Sequence, residues 1–69
     1  MRKCKFGKIL KELRNEKGMN QEVLAKVLNV TGATISRWES GIVEPDFQTL
    51  IFLADMFRVS VDYILGLED

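Results

Sequence analysis

The chain of 69 residues contains no histidine and only one cysteine, Cys4. A single cysteine cannot form an intramolecular disulfide, which favours a reducing, intracellular compartment. Cys4 also has no imidazole partner to activate it as a nucleophile, and the sequence has neither a Cys/His zinc spacing nor a glycine-rich phosphate loop. The acidic residues are scattered rather than paired. We therefore expect a protein that is not an enzyme, with no metal, no other cofactor and no small-molecule substrate.

Proline and long apolar runs are also scarce. Pro45 is the only proline, and the five glycines stand singly, as expected at turns. No apolar stretch approaches the roughly 20 residues that span a bilayer, and no signal-peptide pattern precedes the first expected helix. The length suffices for one small core. We therefore expect a single domain over residues 1–69, in a cytoplasmic protein that does not enter a membrane.

The formal net charge is zero, but the charges are unevenly distributed. Residues 1–37 contain nine of the ten lysines and arginines and only three acids, whereas residues 38–69 contain Arg58 and seven acids. Because a local field rather than the total charge steers a ligand, such a chain can present a basic surface to phosphate. A solvated amphipathic surface explains the same pattern equally well.

Apolar spacing predicts five helices and no strand. Helix 1 is expected from Lys5 to about Lys17, and Gly18 supplies its stop. Asp46 is a good N-cap for helix 4, and Ser60 can cap a short helix 5. Helix 4 is expected to contribute most to the core, with the apolar residues Phe47, Leu50, Ile51, Leu53, Ala54 and Phe57. Met19, Trp38 and Met56 are further expected core residues.

Residues 20–41 are predicted to form two short helices joined by a tight turn. Asn20 can cap helix 2, whose apolar positions 23, 24, 27 and 28 predict one buried face. Asn29 tolerates a left-handed backbone and can end this helix, and Thr31 can cap helix 3. The break is thus only about three residues long, as in the helix-turn-helix motif whose second helix enters the DNA major groove.

Helix 3 is predicted to have two dissimilar sides. At about 100° per residue, Ile35, Trp38 and Glu39 fall on one side. The other side carries small or polar residues and one guanidinium, namely Ala33, Ser36, Arg37 and Ser40. We expect the first side to face the protein and the second to face outward.

These residues form a recognisable pattern. The stretches that carry it are Asn20 to Ala25, Val30-Thr31, Thr34 to Gly41, Glu44-Pro45, Leu50 to Ala54 and Val59 to Asp62. Together they resemble the phage-repressor-like (Xre/Cro type) helix-turn-helix family of transcriptional regulators, over about residues 6–66. The resemblance implies an all-α, five-helix, lambda-repressor-like domain that binds double-stranded DNA with helix 3 in the major groove, most often as a repressor.

The resemblance also assigns roles to individual residues. Gln21 matches the family glutamine that contacts a phosphate and supports the recognition helix, and Arg14 and Glu39 match a partly buried ion pair. Arg37 is the strongest candidate for a base contact, since a guanidinium can donate twice to guanine; pairing with a nearby carboxylate is its alternative role. The predicted DNA-binding residues are Asn20, Gln21, Thr31, Gly32, Ala33, Thr34, Ser36, Arg37 and Ser40.

Two departures from the family pattern affect this expectation. Gly32 and Ala33 stand where long polar side chains are frequent, which limits direct readout to backbone approach and methyl contact. Ile42 and Val43 stand where lysine or arginine commonly reaches phosphate, so affinity and its salt dependence should be lower. These aliphatic residues also suit the alternative function, a protein-interaction module or antitoxin-like regulator with the same fold.

A homodimer on a near-palindromic operator is expected, because one helix reads only a few base pairs. The resemblance favours a dimer surface at helices 4 and 5 and the C-terminal end, including Tyr63, Ile64 and Leu67.

Overall fold

The computed structural model describes residues 4–67, which form five α-helices and contain no strand. The helices are α1 (Phe6–Glu16), α2 (Gln21–Leu28), α3 (Gly32–Glu39), α4 (Phe47–Phe57) and α5 (Val61–Leu65). The all-α prediction and the number of helices are confirmed.

Four of the helices begin at a side-chain cap. In each, the cap oxygen accepts a hydrogen bond from the backbone N–H three residues later, which satisfies a donor that the helix itself leaves free. The caps, with their donor–acceptor distances, are Asn20 (2.9 Å), Thr31 (3.2 Å), Asp46 (2.8 Å) and Ser60 (3.0 Å). Local side-chain chemistry therefore sets where these helices start.

The turn between α2 and α3 is as short as the sequence predicts. Asn29 ends α2 in the left-handed conformation, at φ 58°, and the N–H of Val30 donates to the carbonyl oxygen of Ala25. Val30 packs against the core and Thr31 immediately caps α3. The turn thus fixes the direction in which α3 leaves α2.

One cluster of buried side chains joins the helices. Its fully buried members, one from each helix, are Leu10, Leu24, Ile35, Leu53 and Ile64. Trp38 is only 6% exposed, in agreement with its predicted place in the core. Met19 and Met56 are partly buried against the same cluster.

The predicted apolar faces of α2 and α4 differ from the buried ones. Phe47 is 84% exposed and Ile51 45%, so these residues lie outside the core. Val23 and Val27 of α2 are also about half exposed. Ile51 lies roughly 100° around α4 from Leu50, at the border of the inward face. On α4 the stripe identified the correct side, of which a bundle this small covers only part. On α2 the buried face is shifted toward Ala25, which is 2% exposed and was not in the predicted stripe.

A close approach of α1 to the end of α3 sets the position of α3. A Cβ atom added to Gly7 would lie 2.6 Å from the carbonyl oxygens of both Trp38 and Glu39. Such a separation is well inside van der Waals contact, so only glycine fits at position 7. At this point α1 and α3 therefore meet backbone to backbone.

Candidate nucleic-acid interface

Helix α3 presents a polar face outward, as its sequence predicts. Ile35 and Trp38 are buried, whereas Ser36, Arg37 and Ser40 are exposed. Thr31 and Ala33 are exposed at the start of the helix. The outward surface therefore consists of short side chains and one guanidinium, which lets a second molecule approach the helix backbone closely.

The inner side of α3 is held by an ion pair with α1. Arg14 Nε lies 2.7 Å from Glu39 Oε2, and Arg14 Nη2 donates to Glu39 Oε1 over 3.1 Å. The two side chains are only 8% and 5% exposed. Arg14 Nη1 donates to the carbonyl oxygen of Met19 over 2.8 Å. The bidentate geometry fixes the orientation of both groups.

The ion pair also changes the pKa of Arg14. Its side-chain hydrogen bond to Glu39 raises the pKa of Arg14, and the charge of Glu39 acts in the same direction against the cost of burial. The ion pair thus favours the charged form of Arg14 despite its burial.

Gln21 extends this network to the start of α2. Its Nε2 atom donates to Glu39 Oε1 over 3.0 Å. An amide nitrogen carries two hydrogens, so one is left to donate to another acceptor. Gln21 is partly exposed, so this second hydrogen can reach an acceptor outside the network. Gln21 thus contacts α3 directly and also faces solvent.

Several of the predicted DNA-binding side chains already make local hydrogen bonds. Thr31 Oγ1 caps α3 and lies 3.0 Å from Thr34 Oγ1. Ser40 Oγ donates to the carbonyl oxygen of Ser36 over 2.7 Å, so a phosphate contact from Ser40 requires another rotamer. Asn20 uses its side-chain oxygen as a cap and keeps its amide hydrogens for other partners.

Arg37 is different, because its side chain makes no hydrogen bond or ion pair with any of residues 4–67. It is exposed on α3, and the ion pair of Arg14 and Glu39 is the one found within this part of the chain. The alternative in which Arg37 pairs with a nearby carboxylate is therefore not the arrangement seen. Its guanidinium is available to an external acceptor.

The structure adds one residue that the sequence did not single out, Glu22. Its carboxylate lies against Gly32, in the space where a side chain at position 32 would begin. A Cβ atom added to Gly32 would collide with Glu22 Oε1 and would lie 2.9 Å from Cδ. A glycine at the first position of α3 hints that a neighbour approaches closely, but the neighbour itself depends on how α2 and α3 are packed.

The segment after α3 carries apolar side chains at the border of this surface. Ile42 is 74% exposed and Val43 46%. The N–H of Ile42 donates to the carbonyl oxygen of Arg37 over 3.0 Å, which ends the helix close to the outward face.

Within the described residues, no helix is long and apolar enough to cross a membrane.

Comparison with known proteins shows that the chain is similar in sequence to transcriptional regulators. The family model described as Helix-turn-helix matches residues 10–64. The HTH-type transcriptional regulator ImmR of Bacillus subtilis is 38% identical over 64 residues, which is 93% of this chain and 50% of ImmR. The HTH-type transcriptional activator BcrR of Enterococcus faecalis is also 38% identical over 64 residues, 93% of this chain and 31% of BcrR. The chain thus spans half or less of the length of these relatives.

A solved structure with a similar fold contains DNA. It is the P22 c2 repressor protein in complex with the synthetic operator 9T, in the presence of Tl⁺. The TM-score is 0.81 at 28% sequence identity, and the match covers 91% of this chain and 96% of the repressor chain. Nearly the whole of both chains therefore shares one architecture.

Proposed function

Because this chain belongs to the helix-turn-helix family, we propose that it binds double-stranded DNA sequence-specifically, with α3 in the major groove, as a transcriptional regulator in the cytoplasm. The observation that carries the proposal is the outward face of α3. This face is polar and offers the guanidinium of Arg37, which has no partner among residues 4–67, while its inner side is held in place through Arg14, Glu39 and Gln21. A rigid helix with a free bidentate donor suits base-edge recognition.

We propose that the DNA-binding surface consists of the nine residues expected from the sequence. Arg37, Thr31, Gly32 and Ala33 face the base edges. Asn20, Gln21, Thr34, Ser36 and Ser40 contact phosphate or the rim of the groove. The free amide hydrogens of Asn20 and Gln21 support the phosphate role of these two residues.

We propose a repressor as the regulatory type, acting by occupying the operator and excluding polymerase. The P22 c2 neighbour is named a repressor, whereas BcrR is named an activator. A reporter gene downstream of the enriched operator decides between the two. Repression predicts lower expression in cells that make the protein, and higher expression would establish an activator.

We propose that the regulator acts as a homodimer on a near-palindromic operator. The predicted dimer surface needs one correction, since Ile64 is fully buried and cannot contact a second copy. Tyr63, which is 42% exposed, and the partly exposed Leu67 remain on that surface. Tyr63→Glu should convert the dimer to a monomer in sedimentation equilibrium, and an unchanged dimer would show that the contact lies elsewhere.

The experiment that tests the DNA-binding proposal is selection from a randomised duplex library, followed by anisotropy titrations at several salt concentrations. We expect enrichment of a near-palindromic sequence, with binding that weakens as salt rises, because phosphate contacts release counterions. Failure to enrich any sequence, together with salt-independent binding, would contradict the proposal.

A protein-interaction module is the second candidate function. The exposure of Ile42 and Val43 favours it, since adjacent aliphatic side chains suit a protein partner better than phosphate. Retention on heparin at low salt separates the two functions. A module without a phosphate-binding face should flow through the column, whereas a DNA-binding protein should be retained.

A further inference from the structure

The first position of α3 carries no side chain, but the space beside it is filled by Glu22. The carboxylate of Glu22 reaches from α2 to the place where a side chain on residue 32 would start. Residues at the N-terminal end of a recognition helix are those that meet base edges. The chemical group presented at this point is therefore the Glu22 carboxylate rather than the hydrogen atom of a glycine.

This carboxylate is free to accept a hydrogen bond. Glu22 is exposed, and its carboxylate makes neither a hydrogen bond nor an ion pair within residues 4–67. Glu22 also lies in the first turn of α2, where a negative charge is favourable for the helix dipole. That role accounts for an acid on α2, but it does not require glycine at position 32.

We propose that Glu22 is a specificity-determining residue of the DNA interface and accepts a hydrogen bond from the N4 amino group of cytosine. This inference rests on the proposed seating of α3 in the major groove. An ionised carboxylate only accepts hydrogen bonds, so it needs an amino group on the base edge. Cytosine offers N4–H₂ as its major-groove group, whereas adenine places the acceptor N7 beside N6 and guanine and thymine present acceptors. The same charge repels phosphate, so Glu22 restricts where α3 can sit.

The test compares Glu22→Gln, Glu22→Asp and the control Glu16→Gln on the duplex that the unaltered protein enriches from a random library. Glu16 is an exposed acid at the end of α1, so its substitution changes the net charge equally. Affinities for all single-base variants of that duplex are measured by fluorescence anisotropy. We expect the unaltered protein to bind about five- to tenfold more tightly when cytosine stands at one particular position of each half-site. Glu22→Gln should reduce that preference below about twofold and tighten binding to the other duplexes.

Glu22→Asp distinguishes a base contact from a charge effect. It keeps the negative charge but shortens the side chain by one methylene, so we expect the cytosine preference to fall while affinity for the other duplexes stays unchanged. Equal tightening by Glu22→Gln and Glu16→Gln, with the preference intact, would overturn the inference and leave DNA binding standing. If the unaltered protein enriches no duplex, the proposed function fails, and this inference fails with it.

Discussion

At the scale of single residues, Glu39 is the group on which the orientation of α3 depends. It accepts hydrogen bonds from Arg14 and from Gln21, and both of its partners lie on other helices. Because only 5% of the Glu39 side chain is exposed, water cannot replace a hydrogen-bonding partner that is lost. Glu39 therefore links α1, α2 and α3 through its hydrogen bonds.

We predict that Glu39→Gln destabilises the protein by about 3–5 kcal/mol, because the amide removes the counter-charge of the buried Arg14 and replaces one of its two acceptor oxygens by an NH2 group. The total stability expected for a chain of this size is about 3–10 kcal/mol, so the loss is a large fraction of it. Urea unfolding followed by circular dichroism measures the change. Glu16→Gln, on the exposed end of α1, serves as the control and should change stability by less than about 0.5 kcal/mol.

A small effect of Glu39→Gln would contradict this description. A loss below about 1 kcal/mol is the value typical of a solvent-exposed pair. It would mean that Arg14 finds water or another acceptor when the carboxylate is removed.

The residues of the candidate site differ in how far the sequence could predict them. Asn20 and Thr31 could be assigned as caps because a cap depends only on its own helix. Arg14 and Glu39 are 25 positions apart, and their pairing was expected only from the family resemblance. The position of the Glu22 carboxylate beside Gly32 could not be predicted, because it depends on the angle between two helices.

At the scale of helices, the contact between α1 and α3 depends on the absence of a side chain at position 7. We predict that Gly7→Ala destabilises the protein by about 1–3 kcal/mol, since the new methyl group meets two backbone carbonyl oxygens that cannot rotate away. The result should be opposite in sign to that at an open helix position, where alanine is favoured over glycine by about 0.5–1 kcal/mol.

Thermal unfolding of Gly7→Ala measures this effect, with Lys11→Ala on the exposed side of α1 as the control. Unchanged or raised stability in Gly7→Ala would show that α1 and α3 separate without cost. The ion pair of Arg14 and Glu39 would then be the contact that holds α3 against α1.

The N-cap of α4 should make stability depend on pH in the acid range. Hydrogen bonds from the side chain and then the backbone N–H of Thr49 lower the pKa of Asp46. A carboxylate with a lowered pKa stabilises the folded state above its unfolded pKa, about 3.9, and this contribution is lost as pH falls through the lower folded value. Acid should therefore weaken the start of α4.

We predict that Asp46→Asn loses less stability than the unaltered protein between about pH 6 and pH 3, because asparagine is an equally good cap that does not titrate. Urea midpoints at the two pH values give the comparison, and Asp55→Asn, exposed on the same helix, is the control. If Asp46→Asn and the unaltered protein lose the same stability, the cap is not the origin of the acid sensitivity.

At the scale of the whole molecule, the chain closes one core but leaves several large apolar side chains outside it. Phe47 is the most exposed of them, and Ile42 follows. The sequence predicted the number of helices and the side of α4 that faces inward, but on α2 the buried face is shifted toward Ala25. It did not predict the width of the buried faces, because width depends on how many neighbours a helix has, and a five-helix domain supplies few.

The net charge of the whole chain says less than the positions of its arginines. The formal total is zero, yet the guanidinium of Arg37 has no partner among residues 4–67, while that of Arg14 donates to Glu39 and to the carbonyl oxygen of Met19. The two arginines therefore have separate tasks. Arg14 holds the inner side of α3 against the protein, and the guanidinium of Arg37 on the outward side is available to an external acceptor.

The measurement that tests the central claim most directly is the base preference of Arg37→Ala on the enriched operator, set against that of Lys11→Ala. Both variants remove one positive charge, but only Arg37 lies on α3. We predict that Arg37→Ala loses about 1–3 kcal/mol of discrimination at one guanine per half-site, measured by anisotropy on single-base variants, whereas Lys11→Ala keeps every preference. An Arg37→Ala variant with the full base preference of the unaltered protein would contradict the placement of α3 in the major groove.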